Sequence, residues 1–216
     1  MGSSNASSRT ASARTPRACW TTSANARPRA GARHLLGITT VAHLAWERRL
    51  LEIAQTVLGG SAIPFRATSF AKTPDADWLV AWHQDTALPF TERFDAPGFG
   101  PWSVKEGVDY AHAPTEVLQR VVALRIHLDA STEENGPLRV VPGSHVHGVL
   151  EDDEVAELAR RSPSVACCVA RGGVLVMSPL LVHASSKLGA ARPRRVLHLE
   201  YADTLELAPG RELRVC

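Results

Sequence analysis

The stretch Trp82-His83-Gln84-Asp85 contains the residue types of a metal site at a suitable spacing. Side chains alternate between the two faces of a β-strand, so His83 and Asp85, two residues apart, point to the same face. An imidazole and a carboxylate placed in this way supply two ligands of the 2-His-1-carboxylate site, which holds Fe(II) and leaves coordination positions open. Because a His-x-Asp triplet alone is weak evidence, the rest of the chain must supply a second histidine and the elements that position it.

A second histidine and an arginine occur in the C-terminal part of the chain. His183 ends an apolar stretch that begins at Val174, where its side chain could project into the interior of a barrel. Arg194 follows eleven residues later and opens another apolar run. A guanidinium group pairs with a carboxylate through two parallel hydrogen bonds, so an arginine near a metal indicates an acidic co-substrate.

Composition limits the classes of protein to be considered. The 216 residues, 44% of them hydrophobic, suffice for the core of one domain, and a net charge of +2 gives no reason to expect a nucleic-acid partner. No run of about eighteen apolar residues occurs, so no membrane-spanning helix is expected. The cysteines Cys19, Cys167, Cys168 and Cys216 have no metal-ligand spacing, and we interpret them as reduced thiols of a cytoplasmic protein.

The N-terminal part of the chain divides into a predicted leader and a predicted helix. Residues 1–34 are rich in Ser, Ala, Arg, Thr and Pro without a hydrophobic period, which predicts disorder, and residues 35–216 are expected to form the domain. Apolar residues share one helical face over residues 41–58, and Gly59-Gly60 predicts the end of that helix. We expect this helix to cover one side of a sheet.

Short runs rich in β-branched and aromatic residues, separated by Gly, Pro and Asp, predict an all-β core of barrel or sandwich type. These runs are residues 62–70, 78–83, 121–129, 138–141, 165–169, 174–178 and 194–201. A helical turn is expected over residues 114–120, and a helix over residues 151–161, where acids precede arginines as the helix dipole favours. Residues 86–113 show no strong period and are predicted to form a long functional loop, such as a lid.

Taken together, the motifs resemble those of the phytanoyl-CoA dioxygenase family of Fe(II)/2-oxoglutarate oxygenases. The resemblance is carried by His83-Gln84-Asp85, the segment NGPLRVVPGSH at residues 135–145, His183-x-Ser185 and Arg194, in the family's order and spacing. It covers roughly residues 40–205. It implies a mainly β fold, a double-stranded β-helix (jelly-roll or cupin-like barrel) with flanking helices and the metal at its mouth.

The resemblance also implies roles for individual residues. His83, Asp85 and His183 match the iron ligands, and Arg194 with Ser185 matches the pair that binds the far carboxylate of 2-oxoglutarate. Arg195 competes with Arg194 for that role, since adjacent strand residues face opposite ways and only one can enter the barrel. The family's spacing favours Arg194.

Three further residues are candidates for binding the co-substrate. Gln84 lies between two ligands but points away from His83 in an ideal strand. Lys72 precedes the predicted strand that carries His83, at a position where family members often have a basic residue. A solvated surface lysine is at least as consistent with the sequence. Arg125 alternates with apolar residues, so its role depends on which face of its strand lines the barrel, and the sequence leaves that open. Three other histidines are assigned structural roles, namely His112, His147 and His198.

The implied reaction uses Fe(II), 2-oxoglutarate and O2 to hydroxylate a C–H bond of a small-molecule substrate, with release of succinate and CO2. Related halogenases have a small residue at the carboxylate position, so Asp85 favours hydroxylation over halogenation. A non-catalytic or degraded jelly-roll module that binds a metal or ligand is the alternative. Aromatic residues within residues 86–113 are expected to contact the substrate, namely Phe90, Phe94, Phe99, Trp102 and Tyr110.

Overall fold

The computed structural model describes residues 31–189 and 192–216, so residues 1–30 of the leader predicted at residues 1–34 lie outside the described residues. Its helices are α1 (Thr39–Ala45), α2 (Arg48–Leu58), α3 (Thr115–Leu118) and α4 (Asp152–Arg161). Its strands are β1 (Gly31–Ala32), β2 (Ile63–Lys72), β3 (Val80–His83), β4 (Ala87–Phe90), β5 (Trp102–Lys105), β6 (Val108–His112), β7 (Val121–His127), β8 (Leu138–Val140), β9 (Val165–Cys167), β10 (Val174–Met177), β11 (His183–Ser185), β12 (Arg194–Ala202), β13 (Glu206–Ala208) and β14 (Arg211–Glu212). Within this part of the chain, no helix combines the length and apolar content needed to cross a membrane.

Two antiparallel sheets form the body of the domain. One has five strands in the order β1-β2-β12-β7-β10, and the other has four in the order β3-β11-β8-β9. Side chains from both sheets line one cavity of about 350 Å³, a volume typical of small-molecule sites. The predicted mainly β jelly-roll architecture is thus confirmed, with the cavity between its sheets.

The five-stranded sheet has one apolar and one polar face, as the alternation of side chains along β12 requires. Leu197 and Leu199 pack on one side, in the same cluster as Ala54 of α2. His198 and Glu200 point to the other side and line the cavity. Burying a leucine side chain stabilises the fold by about 1.5–3 kcal/mol. The contacts with the helices therefore stabilise the apolar face of the sheet, and the polar face lines the cavity.

Residues 41–58 belong to two helices, where the sequence pattern predicts one. α1 ends at Ala45 and α2 begins at Arg48, because Glu47 has an extended backbone (φ −65°, ψ 131°) and its carboxylate accepts a hydrogen bond from the Arg49 N–H as an N-cap. The predicted end is confirmed, since Gly59 has a left-handed conformation (φ 74°) and caps α2. The expected covering of a sheet is also confirmed, although by two short helices.

Residues 86–113 form a three-stranded antiparallel sheet, β4-β6-β5, so the prediction of a long loop is wrong. The strands span only four or five residues, too few to show a clear alternation of apolar and polar residues. Pro89 lies within β4, and a proline argues against a strand in a sequence-based prediction. Glu106 and Gly107 join β5 to β6 with positive φ angles of 52° and 80°. A two-residue hairpin needs such angles, but glutamate is an uncommon residue for the first of them.

The aromatic residues of this sheet mostly form core instead of a pocket wall. Phe90, Phe94, Phe99 and Trp102 contact one another with ring centroids 5.0 to 5.9 Å apart. Phe90 is 1% exposed and the other three pack against the same cluster. Of the five aromatic residues expected to contact substrate, Tyr110 is the one that lines the cavity.

Residues 31–34, the last four positions of the predicted leader, contact the domain in the described part of the chain. β1 pairs with β2, with Gly31 opposite Phe70. A Cβ atom on Gly31 would lie 2.4 Å from the Ser69 carbonyl oxygen, so the approach of the two strands requires glycine. The His34 ring nitrogen Nε2 lies 3.0 Å from the Tyr110 hydroxyl, which ties this segment to β6.

Candidate metal centre

Strand register places polar side chains of three neighbouring strands in rows across one wall of the cavity. Lys72 of β2 is opposite Arg194 of β12. Four residues further along β12, His198 lies between Thr68 of β2 and Arg125 of β7. Residues separated by an even number of positions share a face. The wall therefore presents cations and hydrogen-bonding groups to the space where the opposite sheet carries the predicted metal ligands.

His83, Asp85 and His183 converge on one point, as the sequence predicts. The two histidines are paired residues of β3 and β11, and their ring centroids are 4.1 Å apart. His83 Nε2 lies 3.6 Å from one Asp85 carboxylate oxygen, and His183 Nε2 lies 3.5 Å from the other. One ligand atom from each residue falls within 4.8 Å of the others. Such a three-ligand set leaves coordination positions free for other groups.

Both histidines are oriented by the same local contact. His83 Nδ1 lies 2.8 Å from the Ala81 carbonyl oxygen, and His183 Nδ1 lies 2.8 Å from that of Leu181. A carbonyl oxygen can only accept, so each Nδ1 carries the proton and donates it. The lone pair of each ring is then on Nε2, the atom that faces Asp85, as metal-binding histidines require.

The pKa values of His183 and Asp85 are shifted in the directions that suit metal binding, whereas Asp85 raises the pKa of His83 although burial opposes this. Burial lowers the pKa of His183 to about 4, so its imidazole is neutral at pH 7. Burial opposes ionisation of Asp85, but His183 and His83 outweigh it and hold the pKa of this carboxyl well below its ordinary value. Metal ligands must be deprotonated to bind, and both groups meet that condition at neutral pH.

Lys72, Ser185 and Arg194 form a cationic cluster at one end of the cavity. Lys72 Nζ and Arg194 donate hydrogen bonds to the Ser185 hydroxyl at 2.8 and 3.1 Å, and this hydroxyl donates to the Gly136 carbonyl at 3.1 Å. Lys72 also donates to the Ser186 carbonyl. Lys72 is 1% exposed, so the alternative of a solvated surface lysine is wrong.

This end of the cavity lacks an anion among the described residues. Nε and Nη1 of Arg194 are buried without a hydrogen-bond partner in the part of the chain that the structure describes. Burial and the neighbouring Arg125 lower the pKa of Arg194 to about 10, and burial and Arg194 lower that of Lys72 to about 8. A buried cation without its counter-ion is costly, so the cluster is suited to receive a carboxylate.

Arg195 faces away from the cavity. Its guanidinium donates to both carboxylate oxygens of Asp129 at 2.7 and 2.8 Å on the exposed side of β12. Arg194, the adjacent residue, is 3% exposed and lines the cavity. The geometry therefore brings Arg194 and not Arg195 to the predicted position.

Gln84 contacts backbone groups. Its amide nitrogen donates to the carbonyl oxygens of Gly148 and Leu180 at 2.8 and 2.6 Å, and its amide oxygen accepts from the Leu150 N–H at 2.9 Å. These hydrogen bonds use both ends of the amide, although Gln84 lines the cavity, so its contact with the co-substrate stays a prediction. Gln84 anchors the backbone that carries His83 and Asp85 to the segments around Gly148 and Leu180.

Arg125 faces the cavity, which answers the question that its sequence context leaves open. It is 6% exposed, its Nη1 lies 3.1 Å from His198 Nδ1, and its guanidinium lies 5.2 Å from the centre of the Phe70 ring. Its Nε has no partner among the described residues. Arg125 is therefore positioned next to the cationic cluster, although it has no direct contact with Ser185 in this structure.

Several cavity residues are absent from the sequence-based candidates. Glu200 is 1% exposed and accepts two hydrogen bonds from Arg66, and His198 Nε2 lies 3.7 Å from the same carboxylate. His112, assigned a structural role, lines the cavity and contacts the Thr86 hydroxyl. Glu200 and His198 lie six and four residues after Arg194, so strand alternation could have placed both on its face.

The buried Arg66–Glu200 pair gives a first prediction about stability. We expect Glu200→Gln to lower the free energy of unfolding by about 3 kcal/mol at pH 7, because removing one partner leaves a largely buried charge uncompensated. Arg66 lowers the pKa of Glu200 although burial opposes this, so the stabilisation is present above the ordinary value of 4.5 and is lost as the pH falls below it. The difference between wild type and variant should therefore shrink on acidification.

Urea denaturation at pH 7 and pH 4 measures this difference. Glu116→Gln removes an exposed carboxylate in α3 and serves as the control, with little effect expected at either pH. Equal unfolding free energies for wild type and Glu200→Gln at pH 7 would contradict the prediction.

The sequence and the fold were compared with those of known proteins. The family model described as phytanoyl-CoA dioxygenase (PhyH) matches residues 8–196. L-proline trans-4-hydroxylase of Streptomyces griseoviridis is 26% identical over 178 residues, which cover 70% of this chain and 59% of that protein. Ectoine dioxygenase of Sphingopyxis alaskensis is 25% identical over 183 residues, which cover 74% of this chain and 53% of that protein.

A solved structure gives the same result for the fold. The crystal structure of AviO1 from Streptomyces viridochromogenes Tue57 has a TM-score of 0.60 and 27% identity, and the match covers 85% of this chain and 71% of that one. The chain spans less than two thirds of the length of the two curated relatives. The family match extends over most of the chain and includes the three converging ligands and the two cavity-facing residues Ser185 and Arg194. The chain thus belongs to the phytanoyl-CoA dioxygenase family.

Proposed function

We propose that the protein is an Fe(II)- and 2-oxoglutarate-dependent dioxygenase that hydroxylates a C–H bond of a small-molecule substrate. The observation that carries the proposal is the presence, in one cavity, of three converging ligand atoms and a buried arginine whose Nε and Nη1 have no partner in the described part of the chain. The relatives named above act on an amino acid and on ectoine, according to their names, which agrees with a small-molecule substrate. Neither a nucleic acid nor a membrane is part of the proposal.

The residues fit the iron that the family implies. Two imidazoles and one carboxylate are the donor set of non-haem Fe(II) sites with open positions. The side chains of His83 and Asp85 are 37% and 31% exposed, so the site is open on one side. His183, 4% exposed, closes the other side. When bound, Fe(II) and 2-oxoglutarate supply the oxidation, in which O2 and 2-oxoglutarate give succinate and CO2 and the substrate C–H becomes C–OH.

The residues also fit a dicarboxylate co-substrate. Nε and Nη1 of Arg194 have no hydrogen-bond partner among the described residues, so this guanidinium has N–H groups available for a carboxylate. Ser185 accepts from both Lys72 and Arg194 and so holds the two cations side by side. Lys72 and Arg125 add positive charge to this end of the cavity. The chain's own contribution is thus to bind the far carboxylate and to orient the co-substrate towards the metal ligands.

A non-catalytic ligand-binding module would not need these features together. A structural metal site is closed by its protein ligands, whereas this one has three ligands and a free cationic cluster in the same cavity. A cytoplasmic location stays a prediction.

Conversion of 2-oxoglutarate to succinate tests the proposal. Purified protein with Fe(II) and O2 is expected to form succinate, slowly without substrate and faster when a substrate is present, and a metal chelator should abolish the reaction. Succinate is measured by chromatography across amino acids, ectoine-like compounds, fatty acids and secondary metabolites. No consumption of 2-oxoglutarate under any condition, together with no binding of it, would refute the proposal.

A further inference from the structure

Positively charged side chains outnumber carboxylates among the described residues that line the cavity. Six lysine or arginine residues and two carboxylates face it, an excess of four positive charges. The charges of an Fe(II) ion and a dianionic 2-oxoglutarate would cancel, so their binding would leave the excess of positive charge unchanged. The cavity is therefore more positive than its proposed cofactors require. The residues are Arg33, Arg66, Lys72, Lys105, Arg125, Arg194, Asp85 and Glu200.

The cations lie at two ends of the cavity. Lys72 and Arg66 are six residues apart on the same face of β2, which corresponds to about 20 Å along the strand. Lys72 is opposite Arg194, and Arg66 donates to the Ala87 carbonyl oxygen at 2.9 Å, two residues after Asp85. The end around Arg66 thus adjoins the metal ligands on the side away from Arg194, where a substrate can approach.

Lys105 is the cation at this second end without an anionic partner. Arg66 is engaged by Glu200, and Arg33 lies 3.9 Å from Glu106. The half-buried ammonium of Lys105 lies 4.8 Å from the centre of the Tyr110 ring, and in the described part of the chain it makes no hydrogen bond or ion pair. Burial, Arg66 and Arg33 lower the pKa of Lys105, and the more weakly acting carboxylates Asp85 and Glu200 oppose this shift.

Lys105 is held in place by its neighbours. Tyr110 is 1% exposed, and its hydroxyl lies 3.0 Å from the His34 ring nitrogen, so the ring cannot turn away freely. A cation over the face of a tyrosine ring is stabilised by about 0.5–2 kcal/mol. The hairpin turn at Glu106-Gly107 follows Lys105 directly and joins it to the strand that carries Tyr110. The ammonium is therefore preorganised at the second end of the cavity.

We propose that the substrate carries an anionic group, a carboxylate or a phosphate, and that Lys105 binds this group while the rest of the substrate extends towards the metal ligands. An ammonium group forms charge-assisted hydrogen bonds with either anion as a point charge. The inference rests on the proposed function, because it assigns a substrate class to the same site. It adds that two anions bind at opposite ends, 2-oxoglutarate at Arg194 and the substrate at Lys105.

The test uses the full chain loaded anaerobically with Fe(II) and saturating 2-oxoglutarate, so that the Arg194 end is occupied. Hexanoate, hexyl phosphate and the neutral hexanamide are titrated by calorimetry into the wild type, Lys105→Gln, Lys105→Arg and Lys187→Gln. Lys187 is exposed and does not line the cavity, so its variant is the matched control. At least one anion should bind more tightly than hexanamide, and which anion binds distinguishes a carboxylate from a phosphate.

The variants separate a specific contact from general charge. Lys105→Gln should weaken binding of that anion at least tenfold without changing the affinity for hexanamide, and Lys105→Arg and Lys187→Gln should stay within about threefold of the wild type. Equal binding of anions and hexanamide, no anion binding, or an unchanged affinity in Lys105→Gln would overturn the inference while 2-oxoglutarate still binds. Absence of 2-oxoglutarate binding in the first titration would instead overturn the proposed function, and this inference with it.

Discussion

Replacing Arg194 by methionine is expected to weaken the binding of 2-oxoglutarate roughly 30-fold to several-thousand-fold. Truncating one partner of a buried, hydrogen-bonded charge pair costs about 2–5 kcal/mol, and each 1.4 kcal/mol is about tenfold in affinity. Arg194 is 3% exposed, and two of its nitrogen atoms have no partner among the described residues, so a bound carboxylate would be its principal counter-ion. The dissociation constant is measured by anaerobic titration of the Fe(II)-loaded protein.

The chain offers a matched control in the adjacent residue. Arg195→Met removes the same functional group from the same strand, but its guanidinium is exposed and paired with Asp129 outside the cavity. The affinity for 2-oxoglutarate should stay close to that of the wild type. If Arg195→Met lost affinity and Arg194→Met retained it, the assignment of the two arginines would be reversed. The melting temperature of each variant should also be measured, because Arg194 is buried and its replacement can destabilise the fold.

Asp85→Ala is expected to lower the turnover of 2-oxoglutarate by more than about 100-fold. Loss of a residue that only supports a metal ligand typically costs ten- to hundredfold in metal affinity or activity, and Asp85 is placed as a ligand itself. Its two carboxylate oxygens lie 3.6 and 3.5 Å from the Nε2 atoms of His83 and His183, so Asp85 supplies the carboxylate between the two imidazoles. Succinate formation and Fe(II) affinity are the measurements.

Two further variants show whether the effect comes from the metal. Asp75→Ala removes an exposed carboxylate before β3 and should behave as the wild type. Asp85→Asn keeps the volume of the side chain but not its charge, and should also lose most of the turnover. Unchanged turnover in Asp85→Ala, or the same loss in Asp75→Ala, would contradict the role assigned to Asp85.

The candidate metal ligands could be predicted from the sequence by strand alternation together with a family resemblance. His83 and Asp85 are two residues apart, and the resemblance to a family supplied His183 and the preference for Arg194. Alternation predicts that only one of Arg194 and Arg195 enters the cavity, and the structure shows which. The same rule applied further along β12 places Glu200 on the face of Arg194, but its partner Arg66 is 134 residues away in the sequence, so no local pattern marks the pair.

The second end of the cavity could not be predicted because it depends on contacts that sequence patterns do not reveal. Lys105 and Tyr110 meet through a hairpin whose first turn residue, Glu106, has a positive φ, and glutamate at this position is not a turn signal. Arg66 and Glu200 are 134 residues apart and pair only through the register of β2 and β12. The break between α1 and α2 likewise depends on a single N-cap contact of Glu47.

The visible absorption of the anaerobic complex tests the central claim most directly, namely that His83, Asp85 and His183 hold Fe(II) next to a 2-oxoglutarate bound by Arg194. Fe(II) added together with 2-oxoglutarate should give the wild-type protein a weak visible charge-transfer band. Neither component alone should give it, and Asp85→Ala should lose it. If the wild type showed no band at concentrations that saturate both, or if Asp85→Ala showed the same band, the iron would not be bound at this site as described.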